Sequence, residues 1–153
     1  MRTAVRKWQD QGYEVVFTNG CFDILHHGHI EYLERAATLG DKLVVAVNAD
    51  VSVQKLKGPA RPINSEESRA YLLASLSFVD RVTIFSEETP LKLLKDLVPD
   101  VLVKGGDYQV EDIVGADIVS SHGGKVVVLP FKEGFSTTAI EQKILALRKT
   151  GEA

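Results

Sequence analysis

The residues of this chain best suited to chemistry lie in one short segment, Phe17-Thr18-Asn19-Gly20-Cys21-Phe22-Asp23-Ile24-Leu25-His26-His27-Gly28-His29. His26 and His29 are three apart, so near a helix start both imidazoles can lie on one face, with His27 pointing elsewhere. A helix N-terminus offers free N–H groups and a partial positive charge, which suits an anion such as phosphate. Beside an anion the two imidazoles gain proton affinity and can hydrogen-bond phosphate oxygens. Gly20 can adopt backbone conformations closed to other residues, and Gly28 lets the chain approach a ligand closely. Composition alone favours a blander reading, because a histidine pair at a turn is more often a surface or structural feature. Ligation of a metal by His26 and His29 is a second alternative. A structural zinc needs further Cys or His at matching spacing, and the remaining candidate, His122, sits in a polar helix end before Gly123-Gly124.

These side chains need elements to hold them. Five apolar runs rich in β-branched residues, Val15–Phe17, Leu43–Val47, Val82–Phe85, Val101–Val103 and Val126–Leu129, are too short for buried helices. Their continuous apolarity predicts strands covered on both faces. Helical patterns alternate with them. Ile30, Leu33 and Ala37 share a face, with Gly40 placed as a C-cap glycine. Asn64 and Glu67 form a candidate capping pair before the stripe Leu72, Leu73, Leu76 and Val79. Thr89-Pro90 reads as N-cap and first helical residue, with Leu91, Leu94 and Leu97 inward. Ser136 caps a last helix carrying Ile140, Ile144 and Leu147. The alternation predicts an α/β, Rossmann-like single domain with a five-stranded parallel sheet flanked by helices. The histidine turn then falls at the carboxyl end of the first strand, where open parallel sheets bind ligands. The polar stretch Gln54–Asn64 reads as a sizeable loop, functional or merely connecting in about equal measure.

Bulk properties narrow the classes. The 153 residues, 44% hydrophobic and 25% charged, describe an ordinary globular chain able to bury a core. A formal net charge of −3 offers no broad surface for nucleic acid, so an anionic ligand needs a local site. Cys21 is the single cysteine, which excludes an intramolecular disulfide. No stretch approaches a membrane span and no signal-type apolar region follows Met1, so the cytoplasm is the default expectation.

Taken together, Thr18-Asn19-Gly20-Cys21-Phe22-Asp23, Leu25-His26, Gly28-His29 and the distant Glu133-Gly134-Phe135-Ser136-Thr137-Thr138-Ala139-Ile140 resemble the two motifs of the HxGH nucleotidyltransferases, the cytidylyltransferase-like superfamily. Lys57–Asn64, Arg69 to Asp80, Val103-Lys104-Gly105-Gly106-Asp107-Tyr108 and Val114–Asp117 are similar to members that adenylylate D-glycero-D-manno-heptose 1-phosphate. The resemblance runs from about Val15 to Ile144. It implies transfer of AMP from ATP to that sugar 1-phosphate, giving ADP-heptose and pyrophosphate for the lipopolysaccharide core. The alternatives are a cytidylyltransferase or another member using an acceptor such as glycerol 3-phosphate, and a nucleotide-binding regulatory domain without turnover.

The same resemblance implies roles. His26, His29 and Lys57 are the expected catalytic residues. Thr18, Asn19, Gly20, Cys21, Phe22, Gly28 and Lys55 are expected around the phosphates, and Asp23 either orients the turn or contacts ligand or metal. Arg61 is expected to clamp the sugar phosphate. Arg69, a cation at the start of a helix, reads as an anion contact. Gly105 and Asp107 are expected at the nucleoside, and Ser136, Thr137 and Thr138 at a second phosphate-binding helix N-terminus. Cys21 reads as a small buried side chain rather than a nucleophile. Lys132 stands where glycerol-phosphate cytidylyltransferases carry arginine, which disfavours that activity. Mg²⁺ is implied, held mainly through phosphate oxygens, and no protein metal ligand is assigned. Relatives are often oligomeric and often fused to a ribokinase-type sugar kinase. A single nucleotidyltransferase domain over 1–153 without that kinase is expected, either a stand-alone transferase that could pair in function with a separate heptose kinase or an excised domain, likewise homo-oligomeric and with no nucleic-acid or membrane partner.

Overall fold

The apolar runs become strands β1 (Val15–Gly20), β2 (Lys42–Asn48), β3 (Arg81–Phe85), β4 (Val101–Gly105) and β5 (Lys125–Leu129) of a computed structural model. The structure describes residues 1–131 and 134–150. All four strand pairings are parallel, in the order β3-β2-β1-β4-β5. Parallel neighbours need crossovers, and helices α1 (Arg2–Asp10), α2 (His27–Ala37), α3 (Asp50–Lys57), α4 (Glu66–Ala74), α5 (Leu91–Leu97), α6 (Ala116–Ser121) and α7 (Thr137–Thr150) surround the sheet. This is the expected Rossmann-like α/β architecture. Strand order runs outward from β1 in both directions, so the switch point lies between β1 and β4. Ligand crevices form at such a point, beyond the carboxyl ends of the strands.

The sheet has a core on each face. Phe17, Ala46, Leu94, Leu97, Leu102 and Val119 pack on the side of α5 and α6. Val16, Leu33, Ala36, Val45, Leu73 and Val103 pack on the side of α2 and α4. The central strands are covered on both faces as expected. The outer strands β3 and β5 are only half covered, and Ile84 is 38% exposed.

Several boundaries move from their sequence reading. The stretch read as a loop from Gln54 begins inside α3, which ends at Lys57. Ser65, not Asn64, caps α4 by accepting from the Ser68 amide, while Asn64 turns to Asp23. Pro90 occupies the N-cap of α5, one residue later than read. Leu72 is exposed, and Ile144 and Leu147 stand largely outside the core. Gly40 is not a left-handed cap, since α2 ends at Ala37 with Thr38 as C-cap. Glycine is needed at 40 for another reason: a Cβ there would lie 2.8 Å from both the Glu14 carbonyl and a Val16 methyl. Gly40→Ala should therefore destabilise the fold by about 1–3 kcal/mol in chemical denaturation, the usual cost of overpacking.

Candidate functional site at the carboxyl edge of the sheet

The turn after β1 is built around Asp23, whose side chain is fully buried. One carboxylate oxygen accepts from the Ile63 and Asn64 amides at 2.7 and 3.0 Å, the other from Arg61 Nε at 2.6 Å. Asn64 Nδ2 donates back to the Asp23 carbonyl. Burial pushes the carboxyl up, but the Asn64 amide, Arg61 and the Ile63 amide together hold it below its usual range. Both oxygens are thus committed to the chain. Asp23 thereby orients the turn, while also reaching the lining of the cleft described below. Among the described residues no group of three or more His, Cys, Asp or Glu could hold a metal ion.

Arg61 spans from Asp23 to Glu141 Oε2 on α7, at 3.0 Å, with its Nη2 buried and unpartnered. Arg69 is fully buried and donates to the Asn64 carbonyl, the Cys21 carbonyl and Asp50 Oδ1. Each of its three nitrogens donates to an internal acceptor and no part of the residue is exposed, so it braces the turn. The helix-start argument failed because α4 is packed against the turn that Arg69 reaches.

His26 caps α2, its Nδ1 accepting from the His29 amide at 3.4 Å. The two rings stack with centroids 3.8 Å apart and planes within 16°. Gly28 is required between them: a Cβ would lie 3.0 Å from Phe135 Cβ and 3.3 Å from the His26 ring. Burial, then the charges of His26 and Lys57, push the His29 imidazole down to about 4. The Ile24 carbonyl opposes this without reaching hydrogen-bond geometry, and His29 Nδ1 is buried without a partner. Burial also lowers His26. In the free protein both rings are neutral near pH 7, ready to gain protons beside an anion.

His26, Gly28, His29 and Lys57 line a cavity of about 250 Å³ with Ser136, Thr137 and Thr138 from the start of α7. Ser136 Oγ accepts from the Ala139 amide and caps that helix. A neighbouring cavity of about 280 Å³ is lined by Asn19 to Asp23, Lys104, Gly105 and Tyr108, and shares His29, Lys57, Phe131 and Thr137 with the first. Two helix N-termini from opposite ends of the chain thus face one cleft. The two segments that carry the family resemblance meet there.

Other expected residues lie elsewhere. Thr18 is sealed beneath the site, its Oγ1 within 2.6 Å of Tyr32 Oη, and lines no cavity. Lys55 is exposed and pairs with Glu88 at 3.6 Å. Asp107 is exposed outside the lining, which takes Tyr108 instead. Cys21 is only partly buried and lines the cleft, contrary to its reading as a buried filler. Lys132 and Glu133 lie outside the described residues. The residues missed in sequence are Tyr32, Lys104, Tyr108, Phe131 and Phe135. The visible signal for two of them was position, since Lys104 and Tyr108 flank the Gly105-Gly106-Asp107 turn at a strand end.

The sequence model of the family described as cytidylyltransferase-like matches residues 17–143. The chain belongs to the cytidylyltransferase-like family. Within and around that family it is 59% identical to the bifunctional protein HldE of Chromohalobacter salexigens over 142 residues, covering 93% of this chain and 30% of that protein. It is 62% identical to the HldE protein of Pseudomonas fluorescens over 130 residues, 85% of this chain and 27% of that protein. The chain therefore spans under a third of the length of these relatives. A solved structure described as the lipopolysaccharide core biosynthesis protein of Thermoplasma volcanium superposes with a TM-score of 0.63 at 34% identity, covering 79% of this chain and 98% of that one. No helix among the described residues is long and apolar enough to cross a membrane.

The histidine pair gives a pH signature. The unfolded imidazole of His29 binds protons below about 6.5 and the folded one only below about 4, so stability falls as pH drops through that window. Denaturant midpoints measured from pH 7 to pH 4.5 should decline, and His29→Asn should flatten the decline.

Proposed function

We propose that this chain is an adenylyltransferase that moves AMP from ATP to D-glycero-D-manno-heptose 1-phosphate, producing ADP-heptose and pyrophosphate. The observation that carries the reading is the convergence of His26, Gly28 and His29 with Ser136 to Thr138 and Lys57 on one cavity. A cavity with imidazoles, hydroxyls, an ammonium and two helix N-termini fits a triphosphate. The family supports nucleotidyl transfer, and the named lipopolysaccharide core protein among the solved relatives supports the sugar acceptor.

In this reaction an oxygen of the acceptor phosphate attacks the α-phosphorus of ATP. A new P–O–P linkage forms, the bond between the α-phosphorus and the β-bridging oxygen breaks, and pyrophosphate leaves with the electron pair. A phosphate monoester is already anionic at neutral pH, so no general base is needed. Catalysis rests on positioning and on donors preorganised for the charge that moves onto pyrophosphate. His29, held neutral and desolvated, becomes a better donor as that charge develops. Lys57 adds a fixed positive charge on the same cavity. Mg²⁺ belongs to the substrate here, arriving on the phosphate oxygens of ATP. The domain supplies this one activity, and a sugar kinase supplying the phosphorylated acceptor is the second activity that bifunctional relatives suggest. Cytoplasmic action and a homo-oligomeric state complete the proposal.

Pyrophosphate release by purified protein should occur with ATP and heptose 1-phosphate, and should be much slower with CTP or glycerol 3-phosphate. His29→Ala should lower kcat/KM by roughly 10²–10³-fold, the scale for losing a transition-state donor. Cys21→Ala should keep most activity, because direct attack by the acceptor phosphate involves no covalent enzyme intermediate. Turnover confined to CTP and glycerol 3-phosphate would overturn the adenylyl reading.

A further inference from the structure

The two faces of the sheet divide the residues at the carboxyl ends of β1 and β4. Alternation sends Thr18 and Val103 toward α2, where Tyr32 Oη reaches both. It sends Asn19 and Lys104 to the opposite face, where Lys104 Nζ lies 3.4 Å from Asn19 Oδ1 and 6.0 Å from the Tyr108 ring centre. Among the described residues Lys104 has no carboxylate partner, and its ammonium is largely withdrawn from water. An ammonium held this way carries an uncompensated desolvation penalty, which an arriving anion relieves.

Lys104 also stands on a boundary. The cavity lined by His29, Lys57 and Thr137 reaches it from one side. A further cavity, of about 340 Å³, reaches it from the other and shares only Asn19, Gly20, Cys21, Lys104 and Tyr108 with the first. That further cavity has none of the histidines or hydroxyl-bearing helix starts of the triphosphate site. Its polar lining includes Asn48, Glu88, Thr89 and Asp112. The carboxylates repel a triphosphate, while carboxylates and amides together accept and donate hydrogen bonds to hydroxyl groups.

We infer that Lys104 binds the phosphate of the acceptor at the wall between the two cavities, and that the cavity beyond it holds the acceptor's hydroxylated carbon chain. The inference rests on the proposed transfer reaction and deepens it. The attacking oxygen has to sit beside the α-phosphate, and a shared wall is where two ligands in adjoining cavities can meet. Lys104 is then a phosphate-binding residue for the acceptor, distinct in role from Lys57, which faces the nucleotide.

The test is calorimetric titration of heptose 1-phosphate into protein saturated with the α,β-methylene analogue of ATP and Mg²⁺, with the analogue's own affinity measured separately. Lys104→Met should weaken the sugar phosphate roughly ten- to a hundred-fold, the scale of one lost charged hydrogen bond. The analogue's affinity should stay within about twofold, and Lys104→Arg should recover part of the loss. Asp112→Asn should weaken the sugar phosphate without touching the analogue. Should Lys104→Met fail to fold, judged by circular dichroism, the Arg and Asp112 variants still decide. Unchanged acceptor affinity, or an equal loss for both ligands, overturns the assignment. If wild-type protein binds glycerol 3-phosphate and not heptose 1-phosphate, the proposed acceptor is wrong. The same Lys104 comparison made with glycerol 3-phosphate then tests the inference on its own.

Discussion

The buried carboxylate of Asp23 is the interaction on which the site depends. A charge taken out of water is tolerable only when fully hydrogen-bonded, and Asp23 meets that demand with partners from the 61–64 segment. In doing so it ties the turn after β1 to the chain between α3 and α4, and through Arg61 to Glu141 on α7. The starts of α2 and α7 are thereby held around one cleft, although more than a hundred residues separate them. Arg69 completes the brace from below by gripping the Cys21 carbonyl. Removing Asp23 would leave Arg61 Nε and two amides without acceptors, so its loss would loosen both helix starts together.

Around this rigid frame the groups that face ligand are left underpaired. Among the described residues His29 carries a buried nitrogen with no partner, and Lys104 meets an amide oxygen at 3.4 Å and the Tyr108 ring but no carboxylate. Both are desolvated, and burial acts on both in the direction of the neutral form. An anion entering the cleft supplies what each lacks. On the proposed reading the protein holds unfavourable desolvation at the points that meet phosphate charge, and its ion pairs lie elsewhere, through Asp23, Arg61, Arg69 and Asp50.

Much of this could be read before the coordinates. The five strands follow from β-branched runs too short for helices, but their continuous apolarity suggested cover on both faces for all five, whereas β3 and β5 are only half covered. The place of the histidine turn at a strand's carboxyl end followed from alternation, the pairing of the two motifs came from the resemblance, and the strand order that sets the switch point came only with the fold. What sequence could not show is where a charged side chain ends up. Arg61 and Arg69 look alike in a polar stretch, and only packing reveals that Arg69 is fully buried on internal acceptors while Arg61 keeps Nη2 unpartnered. The converse holds for Lys104, which reads as an ordinary strand-end lysine until its contact with Asn19 shows it half-buried between two cavities. Helix α3 escaped notice because Val51 and Leu56 are exposed, so its apolar residues do not form a clean helical stripe.

The central claim is that neutral, desolvated imidazoles await a triphosphate in a cleft held by Asp23. Its most direct test is nitrogen-15 NMR of the histidine side chains, titrated with pH in the free protein and with Mg²⁺ and ATP bound. The account predicts that His29 titrates near 4 when free, and that the bound nucleotide raises its midpoint by at least about a unit, as a neighbouring anion does. A His29 that titrates near 6.5 in the free protein, with no movement when nucleotide binds, would contradict it.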